Sequence, residues 1–398
     1  MENGMLVTVR ENQLWTAWFE EGKIVQLHAR FVTEDTLLGT IYVGKVKNIV
    51  QNIQAAFVEI ADAGVCYLSM QEPLLPLGQK ALAQEGRKLH IGDEILVQVA
   101  TESIKKKPPK LTGMISLTGR YLVLTRGKTQ IALSTKIQGE ESRALLRSYM
   151  EAFENDEYGF IVRTNAKDAP KEAIIKEAKQ LIMQYESITE KAPYRTCFSL
   201  VYQSPPSYVT QLRDGYRTKQ DEIVTDVPDI YEKMREYMEA AEPQEIEKLK
   251  LYQDESVSLD VLYNLSGHIK RALSKNVWLK SGAGIVIEPT ESLTAIDVNT
   301  GKAIKGHKNT EETFLQINME AAVEIARQLR LRNLSGMIIV DFIDMKKEKN
   351  KEKLLHFLKE EVKKDPVKTM VLDYTALGLV ELTRKRLYKP LHEMIKGT

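Results

Sequence analysis

Apolar and polar positions alternate at period two through Leu6–Arg10, Leu14–Phe19 and Lys23–His28, with turn residues between the runs. That pattern predicts a β-meander forming one sheet. Beyond Gly39 the alternation continues in five shorter runs, over 40–46, 55–60, 65–68, 94–100 and 114–117, a number suited to a small closed barrel. From about 120 to 210, strand-like stretches mix with one long helical segment near 168–187, and Gly159-Phe-Ile-Val-Arg-Thr reads as a strand ending in polar residues. Residues 226 to 275 read as helical, with a polar segment over Glu242–Lys248. The pattern then becomes α/β: strands over 285–288 and 293–299, a helix over about 310–332, an apolar strand over 336–342, and a helix over 350–363. Asn309 and Glu312 have capping-box spacing at the start of the first of these helices. Phe314, Ile317, Ala321, Ile325 and Leu329 fall on one face of it, which predicts core.

Composition sets the scale. A chain of 398 residues implies two to four domains, and 43% hydrophobic with 28% charged residues excludes disorder as the default. No run approaches the roughly 18 apolar residues of a membrane span, and no signal-peptide pattern follows Met1, so a cytoplasmic location is expected. The two cysteines, Cys66 and Cys197, are too far apart for a CxxC site and are expected to be reduced and structural. The six histidines show no HExxH spacing, which leaves carboxylates, and therefore a hard cation rather than zinc, for any catalytic metal. A net charge of +1 carries no nucleic-acid signature, so any such surface has to come from local clustering.

The chemistry gathers near residue 300. In Ala295-Ile-Asp-Val-Asn, strand alternation puts Asp297 and Asn299 on one face, with Ile296 and Val298 on the other. Asp341 interrupts an apolar strand expected to be buried on both faces, where an ionised carboxylate needs a partner or a metal. Mg²⁺, or Mn²⁺ as the alternative, suits one or two carboxylates beside phosphate oxygens. Asp297 and Asp341 supply them, with Asn299 placed to hold water or phosphate. A single aspartate of this kind is more often a cap at a strand end; two of them, with a basic loop between, favour a site. That loop carries Lys302, Lys305 and Lys308 before a helix N-terminus, where phosphate is favoured, although it lacks Walker spacing. Asp344 is equally readable as a third ligand or as a polar strand terminator.

Through Pro289-Thr-Glu-Ser-Leu-Thr-Ala-Ile-Asp-Val-Asn-Thr-Gly, Glu324-Ile-Ala-Arg-Gln-Leu-Arg-Leu-Arg and Ile339-Val-Asp-Phe-Ile-Asp-Met, the chain resembles the ribonuclease E/G family of bacterial endoribonucleases. The likeness is strongest over 281–345 and extends in order from the N-terminus to about 390. It implies a multi-subdomain α/β (α+β) protein with an RNase H-like subdomain over 1–36 and 210–278. It also implies an S1-type OB-fold domain over 37–119, a 5′-sensor over 120–209 and a DNase I-like catalytic part over 279–398. The resemblance puts Asp297 and Asp341 on the family's metal-binding aspartates and Asn299 beside the scissile phosphate. It gives Phe57 and Tyr67 to base stacking, Lys107 to a phosphate, and Arg163 with Thr164 to a 5′-monophosphate.

The substrate it implies is single-stranded RNA, a ribosomal precursor or messenger, cut to 5′-phosphate and 3′-hydroxyl ends. Two departures stand out. Ala376 occupies a position where the family often has an arginine aiding the 5′-sensor, and no cysteine lies near the C-terminal end, so the zinc-linked dimer of many members is not expected. The rival reading is a non-catalytic S1-domain or ribosome-associated RNA-binding protein, against which Asp297, Asn299 and Asp341 argue.

Overall fold

The computed structural model describes all residues except 33–36, 73, 78–87, 104–106, 216–220, 255, 302–309 and 396–398. Two compact units emerge: residues 1–34 with 215–398, and residues 35–214. Among the described residues no helix is long and apolar enough to cross a membrane.

In the first unit the predicted meander is present as Gly4–Arg10, Gln13–Glu20 and Lys23–Phe31, paired antiparallel in order. Two short strands, Glu222–Thr225 and Leu249–Leu251, extend that sheet in parallel from the Gly4–Arg10 side. Both fall within or beside the stretch read as helix-like with a polar segment; strands of three or four residues are too short to show a period. The helices expected there form as Pro228–Ala241 and Leu265–Leu273. Leu6, Trp15, Phe19 and Leu27 pack against Leu265 and Ile269 in the core.

The same unit contains a six-stranded sheet ordered Asn276–Trp278, Gly284–Pro289, Leu293–Asn299, Gly336–Asp341, Val380–Arg384, Thr369–Tyr374. Only Leu293–Asn299 and Gly336–Asp341 run parallel, because the helix Thr310–Leu331 carries the chain back between them. Its predicted stripe is core: Ile317, Ala321, Ile325 and Leu329 are buried against Ile296, Val298, Ile338 and Val340, with Phe314 partly buried beside them. A second helix, Glu348–Val362, adds Leu354 and Leu358 to that core. The alternate positions, Asp297, Asn299, Met337 and Asp341, are exposed. This corrects the reading of Asp341 as buried on both faces: the strand alternates, and Asp341 ends it on the open face.

The second unit holds a closed five-stranded barrel in an OB-like arrangement. Ile41–Val50, Ala55–Ile60, Gly64–Ser69, Lys110–Thr112 and Glu94–Thr101 follow one another around it, and Ile41–Val50 pairs again with Glu94–Thr101 to close the ring. Four of the five expected strands are in place, but the fifth is Lys110–Thr112. The run read over 114–117 contributes instead to another sheet, where Ser116–Thr118 pairs with Leu122–Arg126 and that strand with Tyr158–Val162. The barrel wall is tight at Gly44, since a Cβ there would lie 2.6 Å from Val58 Cγ1. The helix Lys171–Lys191 packs on this second sheet through Ile174, Ala178 and Leu181.

Candidate active site

Asp297 and Asp341 are register partners on the two parallel strands, so their carboxylates leave the carboxyl ends of adjacent strands on one face. Partial burial first, then the Asp297 and Asp344 charges, push the Asp341 carboxyl above its usual range. The Asn299 amide donates to Asp297 Oδ2, as strand alternation requires of residues two apart. Among the described residues neither aspartate is ion-paired with a lysine or arginine, and no group of three or more His, Cys, Asp or Glu side chains is arranged to hold a metal. Two adjacent carboxylates, with the charge of Asp297 helping to raise Asp341, fit a hard divalent cation that completes its shell with water and phosphate. Asp344 is exposed and acts on Asp341 by charge alone.

The segment after Asp341 is held from the helix. Buried Asn318 donates from Nδ2 to the Ile343 carbonyl at 2.8 Å and accepts from the Ile343 amide at 3.0 Å. Glu311 accepts from the Lys346 and Lys347 amides, at 3.1 and 2.9 Å. Sequence reasoning missed both positioning residues; an asparagine on the apolar stripe was the available signal. Asn309, Lys302, Lys305 and Lys308 lie outside the described residues.

On the barrel, Phe57 and Tyr67 are cross-strand partners with ring centroids 6.3 Å apart at 83°. Their neighbours Ala56, Val58, Cys66 and Leu68 fill the barrel core, so the two half-buried rings face outward. Burial pushes the Cys66 thiol up to about 11. Lys107 is exposed, and its carbonyl accepts from Ser103 Oγ at 3.0 Å. In the same unit, Arg163 follows Tyr158–Val162, and its guanidinium is already engaged, by Asp214 at 2.7 Å and the Gly119 carbonyl at 2.5 Å. Arg213 clasps the same Asp214 through two bonds of 2.9 and 2.8 Å. Thr164 shares a hydroxyl contact of 3.1 Å with Ser134. The Glu177 carboxylate accepts from the amides of Arg120, Tyr121 and Leu122 and so fixes the turn beside Gly119.

Comparison with known proteins decides the kinship. The sequence model of the Ribonuclease E/G family matches residues 116–387. Ribonuclease G of Escherichia coli K12 is 32% identical over 98% of this chain and 81% of its own length. Ribonuclease G of Haemophilus influenzae is 34% identical over 98% and 81%. The chain belongs to the ribonuclease E/G family. Ribonuclease E of Synechocystis is 35% identical over 98% of this chain but only 58% of its own length, so similarity to the longer members covers their shared part. Ala376 is an exposed position in the turn between Thr369–Tyr374 and Val380–Arg384.

Proposed function

We propose that this chain is a divalent-cation-dependent endoribonuclease that cuts single-stranded RNA at the open face of the six-stranded sheet. The observation that carries the reading is the placement of Asp297 and Asp341 as register partners, exposed and in mutual repulsion, with Asn299 beside them. In this reading residues 279–398 form a DNase I-like catalytic part, 1–36 with 210–278 an RNase H-like support, 37–119 an S1-type domain and 120–209 a 5′-sensor. Asp297 and Asp341 hold Mg²⁺, or Mn²⁺ in its place. When bound, such a cation neutralises phosphodiester charge and makes water a stronger nucleophile at neutral pH.

The protein's own part is orientation. The Asn299 amide fixes the Asp297 carboxylate and presents its remaining N–H to a phosphate oxygen, while Asn318 holds the strand end that carries Asp341. Water adds to phosphorus and the bond to the 3′ oxygen breaks, which leaves a 3′-hydroxyl and a 5′-phosphate. Phe57 and Tyr67 stack bases, Lys107 meets a phosphate, and Arg163 with Thr164 receives a 5′-monophosphate. Ribosomal precursor or messenger RNA is the proposed physiological class.

The test is a 5′-monophosphorylated single-stranded oligonucleotide incubated with the full chain in Mg²⁺, in Mn²⁺ and after chelation. Internal products that carry ligatable 5′-phosphates, formed with either metal and lost on chelation, are expected. Binding without any cut in Mg²⁺ or Mn²⁺ overturns the reading in favour of a non-catalytic RNA-binding protein.

A further inference from the structure

Of the three tryptophans in the chain, Trp15 and Trp18 are 4% exposed and Trp278 is 75% exposed. An indole that size left in water at the end of an edge strand is apolar surface open to an occupant. Its place in the sheet says which. Trp278 is the register partner of Gly284, and Gly284 of Asn299, so one cross-strand row runs from the indole over a glycine to the asparagine beside Asp297. Side chains in one row share a face, so Trp278 stands on the face that bears Asn299, Asp297 and Asp341. Two strand spacings, roughly 10 Å, separate its backbone from that of Asn299.

The glycine makes room for the ring. A Cβ added at Gly284 would lie 3.5 and 3.6 Å from Cζ3 and Cε3 of the indole, so the six-membered ring leans across this position toward the central strands. Gly284 does not have the left-handed backbone that favours glycine elsewhere, at Gly282 or Gly301 for example. Its missing side chain therefore lets the ring lie over this position, next to the polar row.

Resting on the endoribonuclease reading, we infer that Trp278 is a base-stacking residue that positions the nucleotide flanking the scissile phosphate. An aromatic face takes any base, and a phosphate held at Asn299 and the aspartates places the neighbouring nucleotide against the exposed face of the ring. Trp278 touches the substrate without touching the reacting atoms, so its effect falls on productive binding.

The experiment uses the full chain and a single-stranded oligonucleotide with one cut site, in versions where one nucleotide at a time around the cut is abasic. For the unmodified chain kcat/KM is expected to fall roughly ten-fold, within about 5- to 150-fold, at one flanking position. Trp278→Ala is expected to lose a similar factor on the intact oligonucleotide and to become indifferent to the abasic site at that position. Trp278→Phe should keep most of the activity and the sensitivity.

A second measurement does not need cutting. In Asp341→Asn, acrylamide quenching of tryptophan fluorescence reports Trp278, because the other two indoles are buried, and the oligonucleotide should protect it. Normal cutting by Trp278→Ala with an unchanged abasic profile overturns the inference while leaving the endoribonuclease reading intact. So does protection that grows with protein concentration and ignores RNA, which would make this face a protein contact. Failure of every form to cut, with protection retained, would sink the catalytic reading and leave the stacking role.

Discussion

Two charged sites are built on opposite principles. On the six-stranded sheet, Asp297 and Asp341 stand together, and among the described residues no cation pairs with either; Asp341 is pushed above its usual range, by burial first and then by its acidic neighbours. At Arg163 the charge is already answered. Burial alone would raise the Asp214 carboxyl, yet Arg213 and Arg163 pull it below its usual value. In the function proposed above, the first arrangement is completed by a cation. The second is complete as it stands, so the 5′-phosphate proposed for Arg163 would have to displace a carboxylate from the same guanidinium. Where like charges are left together, a ligand is needed; where opposite charges have met, a ligand has to compete.

Neutralising each site in turn is the sharpest way to break this contrast. Asp297→Asn and Asp341→Asn each remove half of the cation's carboxylate shell, and kcat is expected to fall by roughly 10³ or more, equivalent to several kcal/mol of transition-state stabilisation. RNA affinity in gel shift should hold within about three-fold, because the contacts proposed for Phe57, Tyr67 and Lys107 remain. Loss of affinity with unchanged kcat would show that the pair is a binding patch. The effect at the other site is smaller and of a different kind. Asp214→Asn frees Arg163 from its competitor, and the ratio of rates on 5′-monophosphate and 5′-hydroxyl RNA is expected to rise about ten-fold, the scale of one charge-assisted hydrogen bond. A ratio is the right readout, since it is independent of how much enzyme is folded. An unchanged ratio in Asp214→Asn, or a persisting preference in Arg163→Ala, would remove Arg163 from end recognition.

How much of this was legible follows from periodicity. Strand alternation put Asp297 and Asn299 on one face from the letters alone, and the helical stripe from Phe314 to Leu329 named its own core. Asp341 was misjudged because Ile338-Ile-Val looks equally apolar whether a sheet is covered on two faces or one; Ile339 is only partly buried. The last barrel strand was misassigned because Lys110–Thr112 is three residues long and pairs at a bulge with Glu94–Thr101. Trp278 escaped notice because its meaning lies in the register with Gly284 and Asn299, and pairing across a sheet is not written in one strand. Asp214 escaped because a carboxylate 51 residues from Arg163 has no local signature.

The comparison also sets opposite pH slopes, which gives the smallest and most specific prediction. Asp214 has a folded pKa below its unfolded value near 3.8, so its network contributes stability that is fully present above that pH and is lost as pH falls through the depressed value. Asp214→Asn should therefore cost the 35–214 unit about 1 to 2 kcal/mol at neutral pH, with the gap to the parent closing below about 3.8. Asp341 has the reverse sign, because its folded pKa is raised: its contribution is favourable at low pH and is lost as pH rises through the raised value. Asp341→Asn should then stabilise its own unit slightly at neutral pH, by less than about 1 kcal/mol after solvent screening. Added Mg²⁺ should stabilise the parent more than this variant. All three tryptophans lie in the unit formed by 1–34 and 215–398, so their fluorescence follows that unit alone. Amide exchange within 35–214 has to follow the other. Parallel pH slopes for the two variants would mean that both carboxylates sit in equivalent fields, and the distinction between an open site and an answered one would fall.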